Sequence, residues 1–232
     1  WAPPLPWQTA WLARTLRSDR PGSLRSFALM MVDDYNWQAW SALADGVTGL
    51  VSMLSARGIG VVDAPVSGGP KGAEAGTLSV MHAGQAEHVA AVGAQLQALA
   101  NKRFDVGSQP GQAQVCKLVN NAISAAAMVA SCEGVVLGVQ AGLDPGTLVA
   151  AINAGSGRNA ATLDKFPRAI LPGTFDYGGP VGLMLKDLSL YLEEAAARGL
   201  PAGMAQAAFT AWSQATARVG PDADYTALIR PY

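Results

Sequence analysis

The chain has 232 residues, enough for one large domain or two small ones, and 50% hydrophobic against 14% charged residues excludes intrinsic disorder. With 16 Lys and Arg facing 17 Asp and Glu the net charge is -1, so no global field draws the chain to nucleic acid or to a membrane surface. Two cysteines and two histidines leave no disulfide framework and no zinc cluster, and both thiols fall in an apolar run, which points to a reducing, cytoplasmic compartment.

Residues 1–40 stand apart from the rest of the chain. They hold five of the six tryptophans, a proline cluster (Pro3, Pro4, Pro6) and four arginines without helical or strand rhythm, and only Phe27–Val32 reads as a buried strand. They also lack the basic-then-apolar layout of a secretory signal. From about Ser41 the pattern is regular. Ala42–Ala56 predicts a helix closed by Gly58, Ile59–Val62 a short buried strand, and Thr77–His82 a second strand. Ala86–Ala100 predicts a helix and Arg103–Val106 a third strand. After Gly107 the sequence predicts helices only, near Ala113–Leu143, Pro145–Asn153, Thr162–Ile170, Val181–Arg198, Ala202–Val219 and Ala223–Ile229. Asp144-Pro145 supplies an N-cap followed by proline at the first helical position. The fold class expected is therefore α/β followed by an all-α domain, with 1–40 atypical, 41–108 the α/β part and 109–232 the helical part.

The run from Leu118 to Cys132 is uncharged, and reaches Leu143 if Glu133 is tolerated, which is long enough to cross a bilayer. Asn120, Asn121, Ser124, Ser131, Glu133 and Gln140 are too many polar groups for lipid, so a helix buried in protein is expected, with Glu133 as a paired buried acid. So much alanine and so little charge after residue 108 also implies more apolar helix surface than one small domain hides, hence a homodimer or larger assembly.

Three short motifs carry chemistry. Asp63-Ala-Pro-Val-Ser-Gly-Gly-Pro70 comes directly after a strand. Two glycines behind a serine can turn backbone N–H groups toward one point, and the Ser67 hydroxyl adds a donor, so the loop suits a carboxylate. The same residues also make a plain tight turn. In Gly111-Gln-Ala-Gln-Val-Cys-Lys-Leu-Val-Asn-Asn121, Lys117, Asn121 and Ser124 lie at i, i+4 and i+7 and share one helix face. A lone lysine there either snorkels to solvent or is held in a cleft as a proton carrier, with Asn121 orienting it or a substrate oxygen. Lys186-Asp187-Leu188, in mid-helix, reads by itself as an ordinary solvated step. His82 and His88 have no partner spacing for a metal or a nucleophile triad.

Together, DAPVSGGPKGAEAGTLSVMHAG at 63–84, GQAQVCKLVNN at 111–121 and MLKDLSL at 184–190 resemble the β-hydroxyacid dehydrogenases, over roughly residues 42–232. That group includes 3-hydroxyisobutyrate dehydrogenase and tartronate semialdehyde reductase and is related to 6-phosphogluconate dehydrogenase. The resemblance implies a Rossmann-type domain joined through a long helix to an all-α domain, in a homodimer or homotetramer. It implies that Ser67, Gly68 and Gly69 hold the carboxylate of a small substrate, that Lys117 is the general acid/base, and that Asn121 places substrate. It implies that Lys186 reaches the nicotinamide end of NAD or NADP. A lysine at 117 favours carbonyl and alcohol chemistry over the imine reductases that share the fold.

The chain departs from this family at its start. The strand, Gly-x-Gly-x-x-Gly turn and helix that hold a dinucleotide pyrophosphate have no counterpart in residues 1–57. The Rossmann-type part is thus expected to be incomplete, with its first half truncated or replaced and its cofactor binding weak or lost. The expected function is hydride transfer between a nicotinamide cofactor and a small 3-hydroxy acid. The alternative is a non-catalytic family member serving as a helical assembly module.

Overall fold

The computed structural model describes Gly49 and residues 51–232. The strand expected at Phe27–Val32, and the helix expected at Ala42–Ala56 apart from its end, lie outside the described residues. The chain divides into two compact units. The first takes in the described residues up to Val66 together with Ser79–Gln114; the second takes in Ser67–Leu78 and Val115–Tyr232.

The first unit is built on a small sheet. A helical turn over 51–55 closes at Gly58, whose φ of 71° only glycine adopts cheaply, and the Ile59 N–H returns to the Leu54 carbonyl. Beyond it lie four strands: β1 (Val62–Asp63), β2 (Val66–Ser67), β3 (Ser79–Gly84) and β4 (Lys102–Gly107). β3 is central, pairing antiparallel with β1 (Asp63 opposite Ala83) and parallel with β4 (Ser79 opposite Lys102). The parallel pair is joined by a helical crossover, as such pairs require, made of α2 (Ala86–Ala91) and α3 (Gly93–Leu99). One continuous helix was expected there; instead it breaks at Val92-Gly93, where a β-branched residue meets the weakest non-proline helix former. β1 and β3 begin three and two residues later than the pattern predicts. Gly58 and Gly60 occupy the start of one, and the Thr77 N–H is spent on the Gly72 carbonyl at the start of the other (2.8 Å). Gly60 is required by close approach: a Cβ there would lie 2.3 Å from the His88 ring.

The second unit is helical, as the sequence predicts after Gly107. It holds α1 (Gly69–Glu74), most of α4 (Gln112–Gln140), α5 (Pro145–Ala154), a π-helical segment (Ala161–Ile170), α6 (Val181–Ala197), α7 (Gly203–Val219) and a closing 3-10 turn (Tyr225–Ile229). Among the described residues the architecture is thus an α/β piece with a small four-stranded sheet of the Rossmann-type part, followed by an all-α part. α4 has the length and apolar composition to cross a membrane, yet its stripe Ala122, Ala125, Met128, Val129, Cys132 and Val135 packs into the core with Phe166, Leu188, Trp212 and Leu228. Trp212 is fully buried, and its Nε1–H donates to the Ala125 carbonyl at 3.2 Å, so its one polar atom is satisfied. Glu133 proves exposed rather than buried, and accepts from the Tyr232 hydroxyl.

Capping agrees with the sequence at α5. Asp144 Oδ1 accepts from the Thr147 N–H and hydroxyl, both at 2.8 Å, and Pro145 opens the helix. The next helix is wider than the expected α-helix, with the Leu171 N–H reaching the Phe166 carbonyl five residues back. Pro167 lacks a donor inside it, and Asn159 Oδ1 caps it by accepting from the Ala161 and Thr162 N–H groups. Within it Lys165 is 7% exposed, its ammonium 5.7 Å and 5.8 Å from the ring centres of Tyr177 and Tyr225.

Candidate functional site

The candidate site residues Ser67, Gly68, Gly69, Lys117, Asn121 and Lys186 all fall in the second unit. The Ser67 loop leaves β2 and turns into α1. Gly68 and Gly69 have φ of 131° and 64°, so both need glycine, and Gly69 begins a short helix that the pattern did not predict. A Cβ on Gly68 would press on Leu78 Cδ2 at 3.0 Å, which adds a packing reason. Ser67 is half-buried, and the two glycines are exposed.

Lys117 lies in the second turn of α4 and Asn121 one turn beyond it, so helical geometry puts them on one face. Both are half-buried. Asn121 Nδ2 donates to Asp187 Oδ2 at 2.6 Å, while its Oδ1 accepts from Asn120 Nδ2 at 3.0 Å. Asp187 also meets Lys186 Nζ at 3.5 Å. The structure therefore joins Asn121 and Lys186, which are 65 positions apart in sequence, through a carboxylate that in sequence reads as part of a solvated step. Asp187 is 5% exposed, and the Lys186 side chain is mostly withdrawn from water. Such a carboxylate keeps the Asn121 amide in one rotamer and its carbonyl oxygen directed elsewhere. No hydrogen bond or ion pair among the described residues joins Ser67 to Lys117 or Asn121.

Asp63 is the second residue that sequence reasoning missed. It ends β1 fully buried, with Oδ2 accepting from the N–H groups of Gly111 (2.9 Å) and Gln114 (3.0 Å) and Oδ1 from Gln114 Nε2 (2.8 Å). Burial pushes its carboxyl above the usual carboxylate range, and these N–H bonds pull it back down. The signal present in the sequence is a lone acid closing an apolar run, Val61-Val62-Asp63.

Residues 41–107 match a family pattern described as the NAD binding domain of 6-phosphogluconate dehydrogenase. Residues 111–232, more than half of the chain, match one described as NAD-binding of NADP-dependent 3-hydroxyisobutyrate dehydrogenase. The chain belongs to the β-hydroxyacid dehydrogenase family. Among similar proteins of this family, 2-(hydroxymethyl)glutarate dehydrogenase of Eubacterium barkeri is 36% identical over 155 residues, 67% of this chain and 51% of that protein. The 3-hydroxyisobutyrate dehydrogenase of Pseudomonas aeruginosa is 38% identical over 149 residues, 62% of this chain and 50% of its own length. The chain thus spans about half the length of these family relatives. In structure it is similar to Mycobacterium tuberculosis 3-hydroxyisobutyrate dehydrogenase with L-serine, at a TM-score of 0.73 and 28% identity, covering 80% of this chain and 65% of that one.

Whether a dinucleotide of the kind this family uses fits the residues present differs between its two ends. Lys186, paired with Asp187 at 3.5 Å, is a cationic donor of the kind a polar cofactor group could use. For the pyrophosphate, the sequence contains no Gly-x-Gly-x-x-Gly turn after a strand.

Proposed function

We propose that the chain is the substrate-handling part of a nicotinamide-dependent oxidoreductase acting on small 3-hydroxy acids of the 3-hydroxyisobutyrate or tartronate semialdehyde type. The observation that carries this reading is the Asn121–Asp187–Lys186 chain one helical turn from Lys117. It gives a proton carrier, a fixed amide and a second cation within one compact unit. Relatives named as 2-(hydroxymethyl)glutarate, 3-hydroxyisobutyrate and L-serine dehydrogenases support the substrate class.

In the oxidation direction Lys117, as the free amine, takes the proton of the substrate hydroxyl while the carbon–hydrogen bond breaks and the carbon–oxygen bond becomes a carbonyl. A bound nicotinamide supplies the hydride acceptor. Ser67 with the Gly68 and Gly69 backbone holds the substrate carboxylate, and Asn121 donates to or accepts from a substrate oxygen. Lys186 faces the nicotinamide end. In reduction Lys117 returns the proton. A cytoplasmic setting and a homodimer or homotetramer complete the proposal; exposed Ile123, Leu137 and Met204 give the helical unit apolar surface for assembly.

The 232-residue chain itself is proposed to bind NAD or NADP weakly, because losing several charge-assisted hydrogen bonds to the pyrophosphate, at roughly 1.5–3 kcal/mol each, moves a micromolar site to millimolar or weaker. Calorimetric titration tests that weakness, and micromolar affinity for either cofactor would disprove it. Nicotinamide reduction by a panel of small 3-hydroxy acids, with a complete nucleotide-binding half supplied, tests the activity. No turnover with any of them, despite cofactor binding, would leave the chain as a helical assembly module.

A further inference from the structure

An α-helix begins with four N–H groups that have no partner in the helix, and a short polar side chain just ahead of it normally takes one or two of them. The residues before α4, Gln109-Pro110-Gly111, include no Ser, Thr, Asp or Asn. The cap comes from elsewhere in the fold. Asp63, 48 residues upstream of Gly111 and 0% exposed, receives the Gly111 and Gln114 N–H groups on one oxygen and the Gln114 carboxamide on the other. Among the described residues it has no cation, so its charge is met by N–H dipoles and the positive end of the helix. A carboxylate accepts all three donors at once, whereas an alanine at 63 would leave the Gly111 and Gln114 N–H groups and the Gln114 carboxamide without this acceptor.

The helix so capped is the one that carries the proposed proton carrier. Gln114, Lys117 and Asn121 are spaced i, i+3 and i+7, one face of α4. Lys117 therefore sits between two side chains of its own face that are each bonded to a buried carboxylate, Gln114 to Asp63 and Asn121 to Asp187.

We propose that Asp63 is a positioning residue for Lys117, fixing the first turn of α4 so that the lysine is presented from a settled helix rather than from a fraying end. This rests on the reading of Lys117 as the acid/base.

The test compares the full chain with Asp63→Ala and with the conservative Asp63→Asn, whose oxygen can still take the two backbone N–H groups while the Gln114 carboxamide turns over to accept from its Nδ2. Two readouts need no cofactor: amide hydrogen exchange along α4, and competitive acetylation of Lys117 measured against Lys102 in the same molecule. Asp63→Ala is expected to speed exchange over 111–118 at least tenfold while 125–135 stays unchanged, and to alter Lys117 labelling by threefold or more. Asp63→Asn is expected to keep most of both at the parent level. If Asp63→Ala does not fold, Gln114→Ala, which removes only the side-chain donor, is expected to shift the same readouts in the same direction by a smaller factor. Lys117 labelling within 1.5-fold of the parent in Asp63→Ala, or in Gln114→Ala where that variant replaces it, overturns the proposal. So does exchange speeded equally along all of α4. Retained turnover in Lys117→Ala would end the acid/base reading instead, and would leave the exchange result standing.

Discussion

Replacing Asn121 and Asp187 singly and together isolates the bond that joins α4 to α6. The donor–acceptor distance is 2.6 Å, the acceptor is a carboxylate, and Asp187 is 5% exposed, so water replaces little of the bond when it is lost. Hydrogen bonds to a charged partner contribute about 1.5–3 kcal/mol, and a buried charge deprived of its donor costs more than an exposed one. Asn121→Ala removes the donor and leaves Asp187 with its ion pair to Lys186. Asp187→Ala removes the acceptor for both. The double variant loses the shared interaction only once, so its destabilisation should fall short of the sum of the singles by about 1.5–3 kcal/mol. Urea unfolding of the four proteins followed by far-ultraviolet circular dichroism gives the cycle. Additivity within about 0.5 kcal/mol, the behaviour of independent sites, would refute the claim that this bond fixes Asn121.

Lys117→Ala should lower turnover by about 10²–10⁴-fold with cofactor affinity nearly unchanged, and parent-like turnover would end its assignment. Ser67→Ala should weaken carboxylate substrates by about 1–3 kcal/mol and their methyl esters much less; an equal loss for both shows that Ser67 does not read the carboxylate. Burial holds the Lys165 ammonium below its ordinary pKa of 10.5, with Asp164 opposing, so the unfolded chain binds more protons there and this lysine's contribution to stability should grow with pH up to about that value. Burial also pushes the Tyr177 hydroxyl up from 10.0 to about 12, so above pH 10 the folded chain keeps a proton that the unfolded chain loses, and stability should fall. Lys165→Met should abolish the rise and keep the fall in chemical unfolding measured from about pH 8 to 11.

What could be read from the sequence was whatever local patterns determine. The Asp144-Pro145 start, the 29 residues of α4 and the helical nature of everything after Gly107 all follow from periodicity and capping chemistry. The π-helical segment did not, because its form depends on Asn159 capping from outside and on where Pro167 falls in the turn. The break at Val92 was visible as weak propensity yet yielded to the apolar period of the whole stretch. The site divided in the same way. Lys117 and Asn121 could be proposed because helical spacing places them together, and Lys186 because its motif resembles a family's. Asp187 was not, since its neighbour in sequence is a lysine while its decisive partner is Asn121, 66 residues away. Asp63 stands in sequence as the first letter of a loop motif; that it caps a helix 48 residues on is a tertiary fact.

Those two carboxylates also give the low charge of the chain a meaning. With only 14% of residues charged, a buried acid is not one of many surface ions that happened to be covered. Each costs desolvation that an apolar residue of similar size would avoid, so each must be offset by what it binds. Asp63 is offset by three N–H donors from the start of α4, and Asp187 by the Asn121 amide and the Lys186 ammonium. Both therefore act on the same helix, at Gln114 and at Asn121, two turns apart along one face. An apolar contact at either place would hold α4 against its neighbours but would leave it free to rotate by small amounts, because dispersion has little direction. A short bond to a carboxylate fixes angle as well as distance. The residue that benefits from a fixed angle is the one between them, Lys117, whose proposed acid/base role depends on where a single nitrogen points.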